Sequence, residues 1–100
     1  MIKCRVEEGT PPPSYYEYNI GIDHASAYNA CNNFAGDPKT TVYAAESSPG
    51  LVTAFFTNTA LTNSYTGSGD YYAWRLGSSG PSHTSGQVSS AGFPSNMAGC

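Results

Sequence analysis

The sequence predicts a mainly β protein, a small antiparallel sandwich or barrel with one short helix and an N-terminal extended arm. Apolar and polar residues alternate with a period of two in several short segments, which is the spacing of half-buried strands. Clusters of Gly, Pro, Ser and Asn separate these segments and are typical of turns. Only 11% of the residues are charged, whereas the neutral Ser, Thr and Tyr that suit short strands and turns are abundant.

The first thirteen residues are predicted to be a unit of their own. Three consecutive prolines at 11–13 force an extended backbone and cannot join the interior of a sheet, so we interpret residues 1–13 as an N-terminal strand or arm with a proline spacer. The apolar side of this arm carries Ile2, Cys4 and Val6. Such a strand can add to the sheet edge of a neighbouring subunit; folding back onto its own sheet is the alternative.

Residues 14–100 are predicted to form a single small β domain, because a chain of 100 residues leaves no room for a second core. The clearest strand lies within residues 14–23, where one face carries Tyr16, Tyr18, Ile20 and Ile22. The period then changes to that of a short helix, with Asp23 as its cap and with apolar positions at Ala27, Cys31, Phe34 and Ala35. An irregular loop is the alternative, because the neighbouring asparagines are poor helix formers.

The remainder of the domain is predicted to alternate between strands and turns. The strands are expected at residues 40–44, 51–57, 71–76 and 87–93. Residues 77–86 are expected to form a Gly/Ser-rich loop and residues 94–100 an irregular tail, while Leu61 returns from a turn into the core. Aromatic side chains must carry much of the packing, because branched aliphatic residues are scarce.

Three cysteines, Cys4, Cys31 and Cys100, cannot all pair within one chain. We predict a Cys31–Cys100 disulfide, because a terminal cysteine would otherwise lie in a frayed tail. In the chain-entropy model a loop of this length contributes ~4 kcal/mol. Cys4 is then a small buried thiol; three reduced cysteines are the alternative. No Cys-x-x-Cys motif is present, and we predict no metal site and no cofactor.

Charge and hydropathy exclude two classes of partner. Only four residues are Lys or Arg, too few to neutralise several phosphates, so no nucleic acid partner is expected. No apolar run approaches the ~20 residues of a membrane-spanning helix, so no membrane span is expected. The N-terminus also lacks the apolar stretch of a secretory leader.

The sequence predicts no catalytic residues and no enzyme. Asp23 and His24 are adjacent, and neighbours in an extended segment point in different directions, so we interpret them as a helix cap and a polar surface residue. His83 lies in the Gly/Ser-rich loop with no acidic residue near it, which predicts a solvated side chain. The carboxylates are scattered along the chain without the pairing that acid–base catalysis requires.

Aromatic residues are the candidate ligand contacts. Exposed rings stack on the apolar faces of sugars, and the candidates for contact with a glycan are Tyr15, Tyr71 and Trp74. For Trp74 a place in the core beside Tyr72 is favoured over ligand contact, because aliphatic side chains are so few.

Four short elements in this order carry a resemblance to a known group of proteins. They are residues 40–44 (TTVYA), residues 55–62 (FFTNTALT), residues 69–74 (GDYYAW) and the terminal Gly99-Cys100. Over residues 30–100 the chain resembles modules of tailed-bacteriophage virion proteins such as tail fibres and tail-associated proteins. It departs from the usual pattern in having Phe55-Phe56 where Leu-Tyr is usual.

The resemblance implies a virion structural protein in a tail, fibre or baseplate, which packs with copies of itself and with other virion proteins. It would be made in the host cytoplasm and exposed outside the cell after lysis, which is compatible with a disulfide. A capsid decoration or cement protein is one alternative. A free-standing carbohydrate-binding or adhesion module is the other.

Overall fold

A computed structural model describes residues 15–77 and 83–100, in which five antiparallel strands form one sheet. The elements in chain order are β1 (Tyr16–Ile20), α1 (Ala27–Asn33), β2 (Thr40–Ala44), a 3-10 turn (Pro49–Leu51), β3 (Tyr71–Leu76), β4 (Thr84–Val88) and β5 (Pro94–Gly99). Their order across the sheet is β2-β1-β3-β4-β5. The prediction of a mainly β fold with one short helix is confirmed. The predicted arm with Ile2, Cys4 and Val6 lies outside the described residues.

The five described strands form a single antiparallel sheet. The face that a second sheet would cover is instead covered by the irregular segment 45–70. Two of its side chains, Val52 and Phe55, are fully buried in the main core. They are three residues apart, which no strand can bring to one face, so the predicted strand at 51–57 is wrong.

The main core lies between this segment and one face of the sheet. Its strand residues follow the alternation seen in the sequence, and directly paired residues share a face. Tyr18 of β1 pairs with Val42 of β2, and both are fully buried. The other core residues of the sheet are Ile20, Ala44, Tyr72, Trp74 and Val88.

The turn at residues 58–63 holds Leu61 away from this core. The Asn58 side-chain oxygen accepts from the backbone N–H groups of Thr62 and Asn63, at 3.1 and 3.0 Å. This places Leu61 in the left-handed region at φ 58°. Leu61 is half-buried and outside both core clusters, so its predicted return into the core is wrong.

Helix α1 packs on the opposite face, against β3 and β4. Ala30 and Phe34 of the helix are buried against Ala73 of β3. The helix is capped by Ser26, whose side chain accepts from the Asn29 backbone N–H at 3.2 Å. The predicted cap, Asp23, lies three residues too early; it accepts a hydrogen bond from Ser68 Oγ at 2.9 Å instead.

Strands β4 and β5 fall partly or wholly in segments predicted as a loop and an irregular tail. Gly86 explains the error for β4, because its sequence signal is that of a turn although its place is in the middle of a strand. It lies beneath the Trp74 indole: a Cβ at residue 86 would lie 2.8 Å from Trp74 Cη2. A tertiary contact therefore requires the glycine. β5 pairs with β4 along its length, with Pro94 opposite Val88 at one end and Gly99 opposite Thr84 at the other.

Two tyrosine hydroxyls predict an alkaline limit to stability. Burial, followed by the neighbouring charge of Glu46, raises the pKa of Tyr18 from 10.0 to about 12. Burial, followed by Tyr72, raises the pKa of Tyr65 to about 12 as well. The unfolded chain loses these protons first, so the stabilisation is complete below pH 10 and is lost as the pH rises to about 12.

We therefore expect the melting temperature to fall across that interval, as measured by circular dichroism. A Tyr18→Phe/Tyr65→Phe variant should show a smaller fall than the native protein. An equal fall in both would assign the pH dependence to other groups.

Candidate binding surface

The helix covers only part of its side of the sheet. It packs on β3 and β4, and it does not reach the part of the same face formed by β1 and β2. On this uncovered part Glu17 and Thr41 are exposed, and Tyr43 is half-buried. The alternation that buries Val42 and Ala44 in the core directs Tyr43 to this opposite face.

The irregular segment extends this face beyond the edge of β2. Tyr43 and Phe56 exchange two backbone hydrogen bonds, each of 2.8 Å, and Phe56 in turn lies opposite Ser64. Directly opposite residues project to the same face of an antiparallel pair. The side chains of Glu17, Tyr43, Phe56 and Ser64 therefore form one row across the sheet.

A third aromatic ring lies beside this row. The Tyr15 ring meets the Tyr43 ring edge to face, with centroids 5.6 Å apart and planes at 85°. Tyr15 is 37% exposed. We call Tyr15, Tyr43 and Phe56 the aromatic platform.

Polar groups surround the aromatic platform. Glu17 lies directly opposite Tyr43, and Asn19 lies opposite Thr41 in the same register. The Asn19 side-chain amide donates to the Gly77 carbonyl at 2.7 Å, which fixes its orientation. The surface thus combines ring faces with hydrogen-bonding groups. Among the described residues, Glu17 is the charged side chain directly opposite the platform, and Arg75 lies opposite Asn19 on the same face.

The three predicted ligand aromatics are not brought together. Tyr15 is exposed and belongs to the aromatic platform. Tyr71 lies half-buried beside the helix, against Ala30, Phe34 and Ala73.

Trp74 is fully buried beside Tyr72 in the main core, which confirms the core position favoured from the sequence and excludes Trp74 as a surface aromatic. The reason is that the core has few aliphatic side chains, and the indole fills it. The indole N–H donates to the Pro49 carbonyl at 2.9 Å, as a buried indole requires. The sequence prediction did not include Tyr43 and Phe56 among the ligand residues. Tyr43 could have been found, because a strand that buries Val42 and Ala44 turns the residue between them to the opposite face.

The predicted disulfide is confirmed and clamps the helical side of the sheet. Cys31 of α1 bonds to Cys100, with Cα atoms 5.6 Å apart and a sequence separation of 69. The Cys100 backbone N–H donates to the His83 carbonyl at 3.0 Å, which continues the pairing of β5 with the chain before β4. The third cysteine, Cys4, lies outside the described residues.

A histidine ring and the cations of Lys39 and Arg75 surround Phe34 beside this disulfide. The His83 ring stacks on Phe34 with centroids 4.7 Å apart, so its prediction as a solvated loop residue is wrong. Lys39 Nζ lies 4.6 Å from the same ring and the Arg75 guanidinium 5.4 Å. Lys39 also donates to the Asp37 carbonyl at 2.6 Å, just beyond the helix. These cations therefore stabilise the carboxyl end of α1 and cover its main apolar side chain.

A second histidine, His24, joins the beginning of β3 to the loop after the helix. His24 Nε2 lies 2.7 Å from Asp37 Oδ2, and the His24 backbone pairs with Tyr71. The His24 side chain is 18% exposed, so it is largely packed and is not the surface residue that the sequence predicted. The pair links two elements of the fold.

Residues 15–77 and 83–100 contain no cluster of three or more His, Cys, Asp or Glu side chains able to hold a metal ion. No helix among them has the length and apolar character needed to cross a membrane.

Comparison with protein family models, with curated proteins and with solved structures finds no match for this chain. The resemblance to tailed-bacteriophage modules therefore stays a prediction from the sequence.

Proposed function

We propose that this chain is a structural module of a tailed-bacteriophage virion, part of a tail, fibre or baseplate, and that it presents its aromatic platform to the host surface. The observation that carries the proposal is the Cys31–Cys100 bridge, which joins the helix to the end of the last strand. Disulfides persist on virion surfaces and in other oxidising settings. A module clamped in this way suits a particle that must survive outside the cell.

The composition of the exposed surface supports a role in assembly and contact. The chain has a net charge of only −3 and few charged residues to keep copies apart. Several apolar side chains are exposed, including Leu51 at 68% and Phe93 at 57%. Exposed apolar side chains of this size favour contact with other protein surfaces where they form patches.

The outer edge of β5 is the proposed place at which copies join. β5 is the last strand in the sheet order, and no described residue pairs with its outer side. Because the Cys100 N–H points to His83, the backbone groups of Gly99 point away from β4. Pro94 has no N–H, and Asn96 has a φ of 50°, so only the last part of this edge can accept a strand. The alternating arm with Ile2, Cys4 and Val6 of another copy is the proposed strand.

A free-standing carbohydrate-binding or adhesion module is the second candidate. It is favoured by the aromatic platform, which needs no particle in order to bind a ligand. The capsid decoration role differs from the first proposal only in where the chain sits on the particle.

Antibody labelling of particles tests the location. Antibodies raised against the purified chain should label the tails of particles released by lysis of the source culture, as seen by negative-stain electron microscopy. The matched control is the same antibody after absorption with the chain. Label on capsids would reassign the chain to decoration. Particles without label, with the chain free in the supernatant, would contradict a virion role and favour the adhesion module.

A further inference from the structure

We propose that the aromatic platform binds a neutral oligosaccharide. The contact with the host surface is taken from the proposed function. The new part of the inference is the chemical class of the ligand. The site comprises Tyr15, Tyr43 and Phe56, with Glu17 and Thr41 beside them.

The arrangement of the rings suits the apolar faces of sugar rings. Tyr43 and Phe56 are direct neighbours across two backbone hydrogen bonds, and Tyr15 stands edge-on to Tyr43. Ring faces held by a sheet lose little side-chain freedom on binding, because the backbone beneath them is already fixed. An aromatic surface with a polar rim is the usual composition of a carbohydrate or small-ligand site.

The size of the site indicates a chain of sugars. The row from Glu17 through Tyr43 and Phe56 to Ser64 crosses four adjacent backbone segments. At the ordinary spacing between strands this row is about 14 Å long, which exceeds a single sugar ring. Its ends carry hydrogen-bonding groups, the Glu17 carboxylate and the Ser64 hydroxyl, which match the hydroxyls of a saccharide.

Charge decides between neutral and acidic sugars. Glu17 lies directly opposite Tyr43, so an acidic sugar on that ring would lie beside a carboxylate. Of the described cations, Lys39 lies over the Phe34 ring, and Arg75, which lies opposite Asn19 on this face, has its guanidinium carbon 5.4 Å from the centre of the same ring. Like charges at such a distance oppose binding. The ligand is therefore neutral.

A glycan array provides the test, with the full chain as the probe and immobilised neutral and acidic glycans as targets. We expect binding to at least one neutral oligosaccharide and weaker binding to its acidic counterparts. For the best target, titration calorimetry should show that Tyr43→Ala and Tyr15→Ala each weaken binding about tenfold, the loss expected for one stacked ring. Tyr15→Ala guards against a folding defect, because Tyr15 lies outside the strands.

The matched control is Tyr28→Ala. Tyr28 is 75% exposed on α1, away from the aromatic platform, and its replacement should leave the dissociation constant unchanged. Glu17→Gln should bind the neutral glycan as the native protein does, and it should bind the acidic glycans more strongly than the native protein does.

Three results would overturn the inference. They are an array without any bound neutral glycan, an equal loss of affinity in Tyr28→Ala, and platform variants that alter the oligomeric state in light scattering while glycan binding is unchanged. The last result would make this surface an interface between copies. Labelled tails together with a negative array would leave the virion role intact and remove only the saccharide. A bound glycan without labelled particles would support the saccharide site and contradict the virion role.

Discussion

Replacing Cys100 by Ser is expected to lower the free energy of unfolding by about 4 kcal/mol in the chain-entropy model. The bond closes a loop with a sequence separation of 69, so its loss frees most of the chain in the unfolded state. It also releases β5, an edge strand that has a bulge and begins with a proline. The helix loses its covalent link to that strand at the same time.

Urea unfolding with and without a reducing agent measures this effect. The native protein should be strongly destabilised by the reductant, whereas Cys100→Ser should have the same low stability in both conditions. Cys4→Ser is the matched control, since it removes a cysteine outside the bridge and should keep the full response to reductant. A Cys100→Ser variant as stable as the native protein would show that pairing of β4 and β5 alone holds the end of the chain.

Replacing Phe55 by Ala is expected to cost about 3–5 kcal/mol, the range for removing a large ring from a packed core. Phe55 is fully buried and stands edge to face with Trp74, at a centroid distance of 5.1 Å, and with Tyr18, at 5.9 Å. It is also the ring that holds the irregular segment on the sheet. Its loss therefore leaves a cavity and uncovers the main core.

Phe56→Ala is the matched control, because the neighbouring residue has the same side chain on the opposite face. It should cost about 1 kcal/mol, the typical value for a partly exposed position. Thermal or urea unfolding separates the two variants, and glycan binding should show the reverse order: Phe56→Ala loses affinity while residual folded Phe55→Ala keeps it. Equal destabilisation by both variants would mean that Phe56 also packs as a core residue.

The core shows how a chain with few aliphatic residues can still fold. Its large members are mostly aromatic, and the polar atoms of Tyr18 and Trp74 donate to backbone carbonyls. The Tyr18 hydroxyl donates to the Glu46 carbonyl at 2.7 Å, and the Trp74 indole N–H donates to the Pro49 carbonyl. Such bonds avoid the free-energy cost of a buried donor without a partner. They also fix where the irregular segment lies, because Glu46 and Pro49 belong to it.

Local sequence was enough to predict the first three strands in chain order. In Tyr16–Ile20 every second residue is large and apolar or aromatic, as are Tyr72, Trp74 and Leu76 within Tyr71–Leu76, and a strand is the conformation that places such residues on one face. Thr40–Ala44 is rich in residues that favour strands. The helix could be predicted for the same reason, from the spacing of Ala27, Cys31 and Phe34. The disulfide followed from the need to hold a terminal cysteine, a constraint that the sequence also contains.

Tertiary structure alone decided the rest, because the reasons lie in partners that are distant in the sequence. Gly86 carries a turn signal, yet it lies in a strand because the Trp74 indole occupies the space of its missing side chain. Val52 and Phe55 look like part of a strand, yet both cover one face of the sheet, because the apolar side chains of that face must be buried against other apolar groups. The aromatic platform exists only because a backbone pairing places Phe56 beside Tyr43 on the face that the helix leaves uncovered. Periodicity reports which side of a segment is apolar, and it carries no information about what will cover that side.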